Sequence, residues 1–315
     1  MPETELISLV IPIYNEAKNL SHLYDRLKKV LESFQSWDYE IFFVDDGSRD
    51  ESLSILKGMA KDNTRVKILS FSRNFGKEIA TTAGLHYTKG KCIIIMDADL
   101  EHPPELIPRL MEKWKEGYEI VYTIREYSKE TPITKKITSQ LYYYILNTIS
   151  SIKLEPNATD FRLLDRKVVD VYNQFTERSR FFRGLIDWMG YQKIGIPFVA
   201  TYNSIRAPSY SWKKLWKLAI SGLTSFSLFP LRIAGYLGML ISLGGGGFLM
   251  VMFLVRWFID AKYFSSISFV IMFNILLSGI TLTCLGFIAL YIGNIHNEIL
   301  NRPLYVIREK ENVHE

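Results

Sequence analysis

The spacing of apolar positions changes along the chain, and the changes mark out its architecture. Leu6–Pro12 is an apolar run of strand length. Asn15–Ser33 then shifts to helical spacing, with Leu20, Leu23, Leu27, Val30 and Leu31 on one face. The alternation repeats, with strands over Glu40–Val44, Val66–Phe71 and Lys91–Met96, helices over Arg49–Lys61 and Lys77–Thr88, and a fifth strand over Ile120–Thr123. Strands buried on both faces and separated by helices predict an α/β layered domain with a mostly parallel sheet. Ligands of such sheets bind beyond the carboxyl ends of the strands.

The second half reads differently. Thr134–Ser150 begins with Lys135 and Lys136 and runs into Leu141, Tyr142, Tyr143, Tyr144, Ile145 and Leu146. In Ser211–Ser227 the residues Trp212, Leu215, Trp216, Ala219, Leu223 and Phe226 follow helical spacing, with Lys213, Lys214 and Lys217 largely off that face. Aromatic anchors beside lysines predict helices lying in a membrane interface, the alternative being amphipathic helices packed on the domain core. Ile233–Val255 and Phe264–Asn297 carry no charged residue, and each is long enough to cross a hydrocarbon core. The short connection Arg256–Tyr263 predicts an antiparallel hairpin, and Gly244–Gly247 would permit close helix contact within it. The expected organisation is a catalytic domain over 1–210, an interfacial helix over 211–230, spans at about 233–255 and 268–293 within 231–300, and a tail over 301–315.

Composition supports the membrane reading. A hydrophobic fraction of 48% with slightly positive mean hydropathy exceeds what a purely soluble enzyme usually shows. The net charge of +5 fits anionic lipid or phosphate substrates. Lys and Arg before the first span, with Arg308 and Lys310 after the second, place both termini in the cytoplasm of a multi-pass plasma (inner) membrane protein. No signal peptide is visible, so the N-terminal half is expected to stay on the side where it is made. Cys92 and Cys284 fall in a predicted strand and a predicted membrane helix, which suits neither a disulfide nor a CxxC metal site.

The chemistry concentrates at strand ends. Asp97-Ala98-Asp99 puts two carboxylates one residue apart, where they can share Mg²⁺ or Mn²⁺ and so neutralise a diphosphate leaving group. Pro12-Ile13-Tyr14-Asn15-Glu16 ends the first strand and Val44-Asp45-Asp46-Gly47-Ser48 the second. Their acids could accept hydrogen bonds from a base or ribose. Glu16 and Asp46 could equally serve as acids at helix N-termini.

These motifs, together with Ser72-Arg73-Asn74-Phe75-Gly76-Lys77 and Leu100-Glu101-His102-Pro103-Pro104-Glu105, resemble family 2 glycosyltransferases with the GT-A fold over residues 6–230. Asp160-Phe161-Arg162-Leu163 and Glu177-Arg178-x-Arg180-Phe181-x-Arg183-Gly184 resemble the polyprenyl-phosphate branch, which includes bactoprenol glucosyltransferases and dolichyl-phosphate mannose synthases. The resemblance implies that Pro12, Tyr14, Glu16, Asp45 and Asp46, with Lys77, Asp97, Ala98 and Asp99, hold the nucleotide-sugar. It implies a metal on Asp97, Asp99 and Glu101, and catalytic positions at Asp99 and Asp160. For the acceptor phosphate it implies Arg125, Arg162, Arg178, Arg180, Arg183, Arg206, Ser209 and Lys213. Two positions depart from the pattern. Glu101 stands where relatives usually carry Gln, and the loop Arg206-Ala207-Pro208-Ser209-Tyr210-Ser211 lacks the usual glycine and adjacent lysine, leaving Lys213 as a substitute.

The implied reaction is an inverting single displacement in which the acceptor phosphate attacks the anomeric carbon through an oxocarbenium-like transition state. A phosphate monoester is largely ionised at neutral pH, so Asp160 is expected either to remove a residual proton or to orient Arg162 and the acceptor. The expected donor is UDP-glucose and the acceptor undecaprenyl phosphate; GDP-mannose and a UDP-aminoarabinose remain alternatives. A processive synthase would carry Gln-x-x-Arg-Trp, which is absent. A membrane scaffold or lipid-sugar transporter fits poorly with intact acidic motifs, and no nucleic-acid recognition motif is present. The glycine-rich span could support a homo-oligomer.

Overall fold

The computed structural model describes residues 5–126, 155–178, 180–199, 244, 247–248, 250–259 and 265–313. Among them, one sheet is built from β1 (Glu5–Ile13), β2 (Trp37–Asp45), β3 (Val66–Phe71), β4 (Cys92–Ile95), β5 (Ile120–Glu126), β6 (Ala158–Asp165), β7 (Lys193–Val199) and β8 (Ile307–Glu311). Their order across the sheet is β7-β5-β6-β4-β1-β2-β3-β8. Helices α1 (Ala17–Glu32), α2 (Ser52–Asp62), α3 (Lys77–Tyr87), α4 (Ile107–Lys115), α5 (Arg166–Tyr172) and α6 (Phe182–Trp188) accompany it. The expected α/β fold is present. Leu20, Leu23, Leu27 and Leu31 bury the predicted face of α1, while Val30 is only partly covered.

The sheet is mixed. β1 pairs in parallel with β2 and β4, β2 with β3, and β5 with β7. β6, which the apolar pattern did not single out, runs antiparallel between β4 and β5. This reversal matters for the site. The carboxyl end of β4 now lies beside the amino end of β6, with Ile95 opposite Arg162. Two residues further toward that edge, the same register brings Asp97 toward Asp160.

Loops at this edge are knitted by side chains. The Ser48 hydroxyl accepts the Asn15 N–H at 3.0 Å, and the Ser52 hydroxyl accepts the Glu16 N–H at 2.9 Å. Gly47 sits at φ +68°, and a Cβ there would lie 2.5 Å from the carbonyl carbon of Arg73. The loop after β3 therefore packs where only a glycine leaves room.

Within the expected tail over 301–315, Ile307–Glu311 forms a strand of the sheet. β8 pairs antiparallel with the outer edge of β3. Tyr305 stacks on Phe71 at 5.2 Å, Ser72 N–H donates to the Val306 carbonyl at 2.9 Å, and Lys57 pairs with Glu309. The Asn312 side-chain amide reaches the carbonyls of Ala60 and Val66 at 2.8 and 2.9 Å. The apolar pattern gives no sign of this strand because Ile307–Glu311 is charged at four of its five positions. An edge strand exposes one face and needs few apolar residues.

The chain divides into two compact units, the first holding 1–147, 152–211 and 302–315, the second 148–151 and 212–301. In the second unit residues 250–258 are helical and α7 (Ser266–Ile299) runs for 34 residues. Among the described residues no helix is long and apolar enough to cross a membrane. The span expected at 233–255 lies mostly outside the described residues, as do both expected interfacial helices. The span expected at 268–293 falls within α7.

Candidate active site

Four elements bring charged groups to the carboxyl edge of the sheet. Lys77 opens α3, Asp97 follows β4, Asp160 lies near the start of β6 and Arg183 is the second residue of α6. The Lys77 ammonium contacts Asp97 Oδ1 and Asp160 Oδ2, each at 2.6 Å. Arg183 Nε donates to Asp160 Oδ1 at 2.6 Å, and Nη1 donates to the Ala158 carbonyl at 2.8 Å. Asp160 is thus clamped between two cations from different elements.

These contacts decide how Asp160 behaves. Burial pushes its carboxyl up, but Lys77 and Arg183 outweigh burial and hold it well below the usual carboxylate range. Burial likewise pulls Lys77 down, and Asp97 and Asp160 more than reverse this, so the ammonium keeps its proton. A carboxylate so stabilised is a poor base. The hydrogen-bonded partners of Asp160 are Lys77 and Arg183, whereas Arg162, the arginine it was expected to orient, donates to the Thr159 carbonyl.

The acidic turn after β4 is shaped by backbone. Leu100 adopts φ +64°, and the Glu101 N–H donates to Asp99 Oδ1 at 3.1 Å. The Asp97 N–H approaches His102 Nδ1 at 3.4 Å. His102 is buried against Phe161, and desolvation lowers its pKa, so Nδ1 can accept. Ala98 is buried beneath the turn. Glu101, expected as a metal ligand, pairs with Arg125 at 2.5 Å. Arg125, expected on the acceptor phosphate, thus contacts the acidic turn. Among the described residues no three His, Cys, Asp or Glu side chains are gathered into a ready metal cage.

The remaining expected residues separate into two groups. Tyr14 is exposed and Pro12 half-buried at the end of β1, open to a ligand. Asp45, Asp46 and Glu16 are buried. Asp45 accepts from Ser70 Oγ at 2.9 Å and from Ser48 N–H at 3.0 Å. Asp46 accepts the N–H groups of Phe75 and Gly76 at 2.6 and 2.9 Å, while burial raises its pKa. It fixes the loop that leads into Lys77. Glu16 accepts from the Asn19 amide at 2.7 Å.

Not all the arginines converge on Asp160. Arg162 is buried, donates to the Thr159 carbonyl at 2.9 Å and lies over the Phe182 ring. Arg180 donates to the carbonyls of Glu177 and Phe175 and lies over Tyr172, so it shapes its own loop. Arg178 is on that same loop. Arg206, Ser209 and Lys213 lie outside the described residues. Sequence reasoning missed Glu78, a partly buried carboxyl adjacent to Lys77. Its only signal was that position.

Acids and bases thus converge at the carboxyl edge of an α/β sheet. The family model described as glycosyl transferase family 2 matches residues 8–172, and the chain belongs to that family; it is a glycosyltransferase. It is 40% identical over 302 residues to the uncharacterized glycosyltransferase YkcC of Bacillus subtilis, covering 96% of this chain and 93% of the relative. It is 36% identical over 307 residues to a bactoprenol glucosyl transferase of Shigella phage SfX, covering 97% of this chain and 99% of that one. Among solved structures, mannosyl-3-phosphoglycerate synthase from Rubrobacter xylanophilus aligns with TM-score 0.48 at 14% identity, over 69% of this chain and 71% of that chain.

Proposed function

We propose that the protein transfers glucose from UDP-glucose to a polyprenyl phosphate such as undecaprenyl phosphate, giving a lipid monophosphate sugar on the membrane. The observation that carries this reading is the chain of ion pairs Asp97–Lys77–Asp160–Arg183. It joins a donor-side acid to an acceptor-side arginine. Near-full-length similarity to proteins named bactoprenol glucosyl transferase supports the choice of lipid and sugar.

The residues present suit a divalent cation. Asp97 and Asp99 offer hard oxygen donors, and an ammonium already rests on Asp97. Those two carboxylates would hold Mg²⁺ or Mn²⁺, which would neutralise charge on the departing diphosphate. Lys77 is placed to leave Asp97 for a donor phosphate while staying on Asp160. Arg183 brings positive charge to the acceptor side and offsets the repulsion between two anionic substrates. The acceptor oxygen attacks as the ionised phosphate, and Asp160 keeps both cations aimed.

Similarity to proteins named bactoprenol glucosyl transferase supports membrane attachment, which this reading assigns to the second unit. At 34 residues α7 is roughly 50 Å long, and Ile267, Val270, Ile271 and Ile295 are exposed on it. Because β8 pairs with β3 in the sheet that also holds β1, an excursion across a membrane between β7 and β8 must cross an even number of times. That agrees with a hairpin.

Purified protein in detergent with undecaprenyl phosphate and labelled UDP-glucose should move label into lipid, and chelation should stop it. Label arriving from GDP-mannose and not UDP-glucose would replace the donor assignment. Transfer from no nucleotide-sugar would sink the reading.

The Glu101–Arg125 pair makes a second expectation. With Arg125 as its counter-ion, Glu101 is withheld from the metal. Arg125→Met should tighten Mn²⁺ binding about 10-fold, the attraction of one added carboxylate, and Arg125→Met with Glu101→Gln should return it to the original value. Calorimetric titration without nucleotide measures both. Weaker or unchanged binding in folded Arg125→Met would refute the pairing role.

A further inference from the structure

The mechanism above leaves one partly buried acid unused. Glu78 is the second residue of α3, and its Oε2 accepts the backbone N–H of Phe182 at 3.0 Å. Two adjacent ties therefore bridge the same two helices. Lys77 and Arg183 meet on Asp160, while Glu78 and the Phe182 N–H meet directly. The Phe182 ring is buried against Tyr172 at 5.4 Å with the Arg162 guanidinium 5.3 Å from its centroid. Ring packing restrains Phe182 but leaves the rotation of α6 about that ring undetermined. The Glu78 bond fixes the backbone at the residue next to Arg183.

We infer that Glu78 is a positioning residue for the acceptor, pinning the start of α6 so that Arg183 reaches Asp160 and holds its positive charge on the acceptor side. The inference rests on the acceptor role proposed above for Arg183. Burial, then the neighbouring Asp160 charge, raises the Glu78 carboxyl to about 7, so a neutral amide is a fair chemical stand-in. Glutamine keeps a carbonyl oxygen for the Phe182 N–H. Alanine removes it, and aspartate withdraws it by one methylene.

The test uses the full chain in detergent with UDP-glucose and undecaprenyl phosphate, and separately measures binding of farnesyl phosphate and of UDP by calorimetry. Glu78→Ala and Glu78→Asp should each raise the acceptor KM and the farnesyl phosphate Kd about 10-fold, with UDP affinity unchanged. Glu78→Gln should stay within about 2-fold. Added to Arg183→Met, Glu78→Ala should have no further effect on the Kd. Equal behaviour of the Gln and Ala variants would overturn the inference, as would an Ala effect that persists without Arg183. Wild-type protein that binds farnesyl phosphate no better than Glu78→Ala also overturns it. Absence of transfer with intact, Glu78-dependent farnesyl phosphate binding would instead count against the donor assignment alone.

Discussion

Asp160→Asn should lower kcat/KM for lipid glycosylation by roughly 100-fold or more, while UDP affinity changes little. The expectation comes from charge, since the side chain is nearly isosteric. Asp160 accepts from Lys77 and Arg183, each at 2.6 Å. An amide presents one carbonyl where two cations were held, and its NH₂ group faces one of them. Lys77 then relaxes toward Asp97 alone and Arg183 swings away. A misplacement of about 1 Å in such a constellation is enough for a loss of order 100-fold. If Asp160 acted as the base, raising the pH would restore the variant, because the acceptor would ionise without help. In the orienting role the deficit persists across the pH range in which the acceptor is already a dianion. Steady-state rates at pH 7 and pH 9 separate the two. Near-normal activity at both would show that the clamp is dispensable.

Removing residues 304–315 should destabilise the catalytic domain by on the order of 3–5 kcal/mol. The lost contacts are the β3–β8 ladder, the Lys57–Glu309 pair and the two Asn312 amide bonds, each hydrogen bond contributing about 1 kcal/mol net. Tyr305 leaves Phe71 as well; it is buried enough that its hydroxyl is pushed up to about 12. The outer edge of β3 would be uncovered, which favours strand-to-strand association. A fall of roughly 10 °C in the thermal midpoint is expected for a domain of this size, with earlier-eluting species on size exclusion. An unchanged midpoint would mean that β8 is only a surface attachment. A milder probe, Asn312→Ala, should show a fraction of the same loss.

Much of this protein was legible in its sequence, for local reasons. β1 to β5 and α1 to α3 announce themselves through apolar spacing, because each must bury one face or two. The acidic motifs follow directly from those strands, so their place at the carboxyl edge could be read without coordinates. Other features were not legible. β6 carries Thr, Asp and Arg among its apolar residues, and β8 is largely charged, so neither shows a clean period. Within the motif Asp45-Asp46, chain order gives no means of telling ligand from scaffold. In the structure both are buried, Asp45 bonded to Ser48 and Ser70 and Asp46 to the N–H groups of Phe75 and Gly76. Glu101 and Arg125 each looked like a substrate or metal contact when taken singly, and become a pair only in space.

The sequence alone determined which residues carry charge and which strand ends present them. Tertiary structure decided which charges meet. Lys77 and Asp160 are 83 residues apart, and their contact depends on β6 entering the sheet reversed beside β4. An ion pair across that distance has no local spacing to betray it. Its geometry is fixed by strand order and direction, which are set by the packing of the whole sheet.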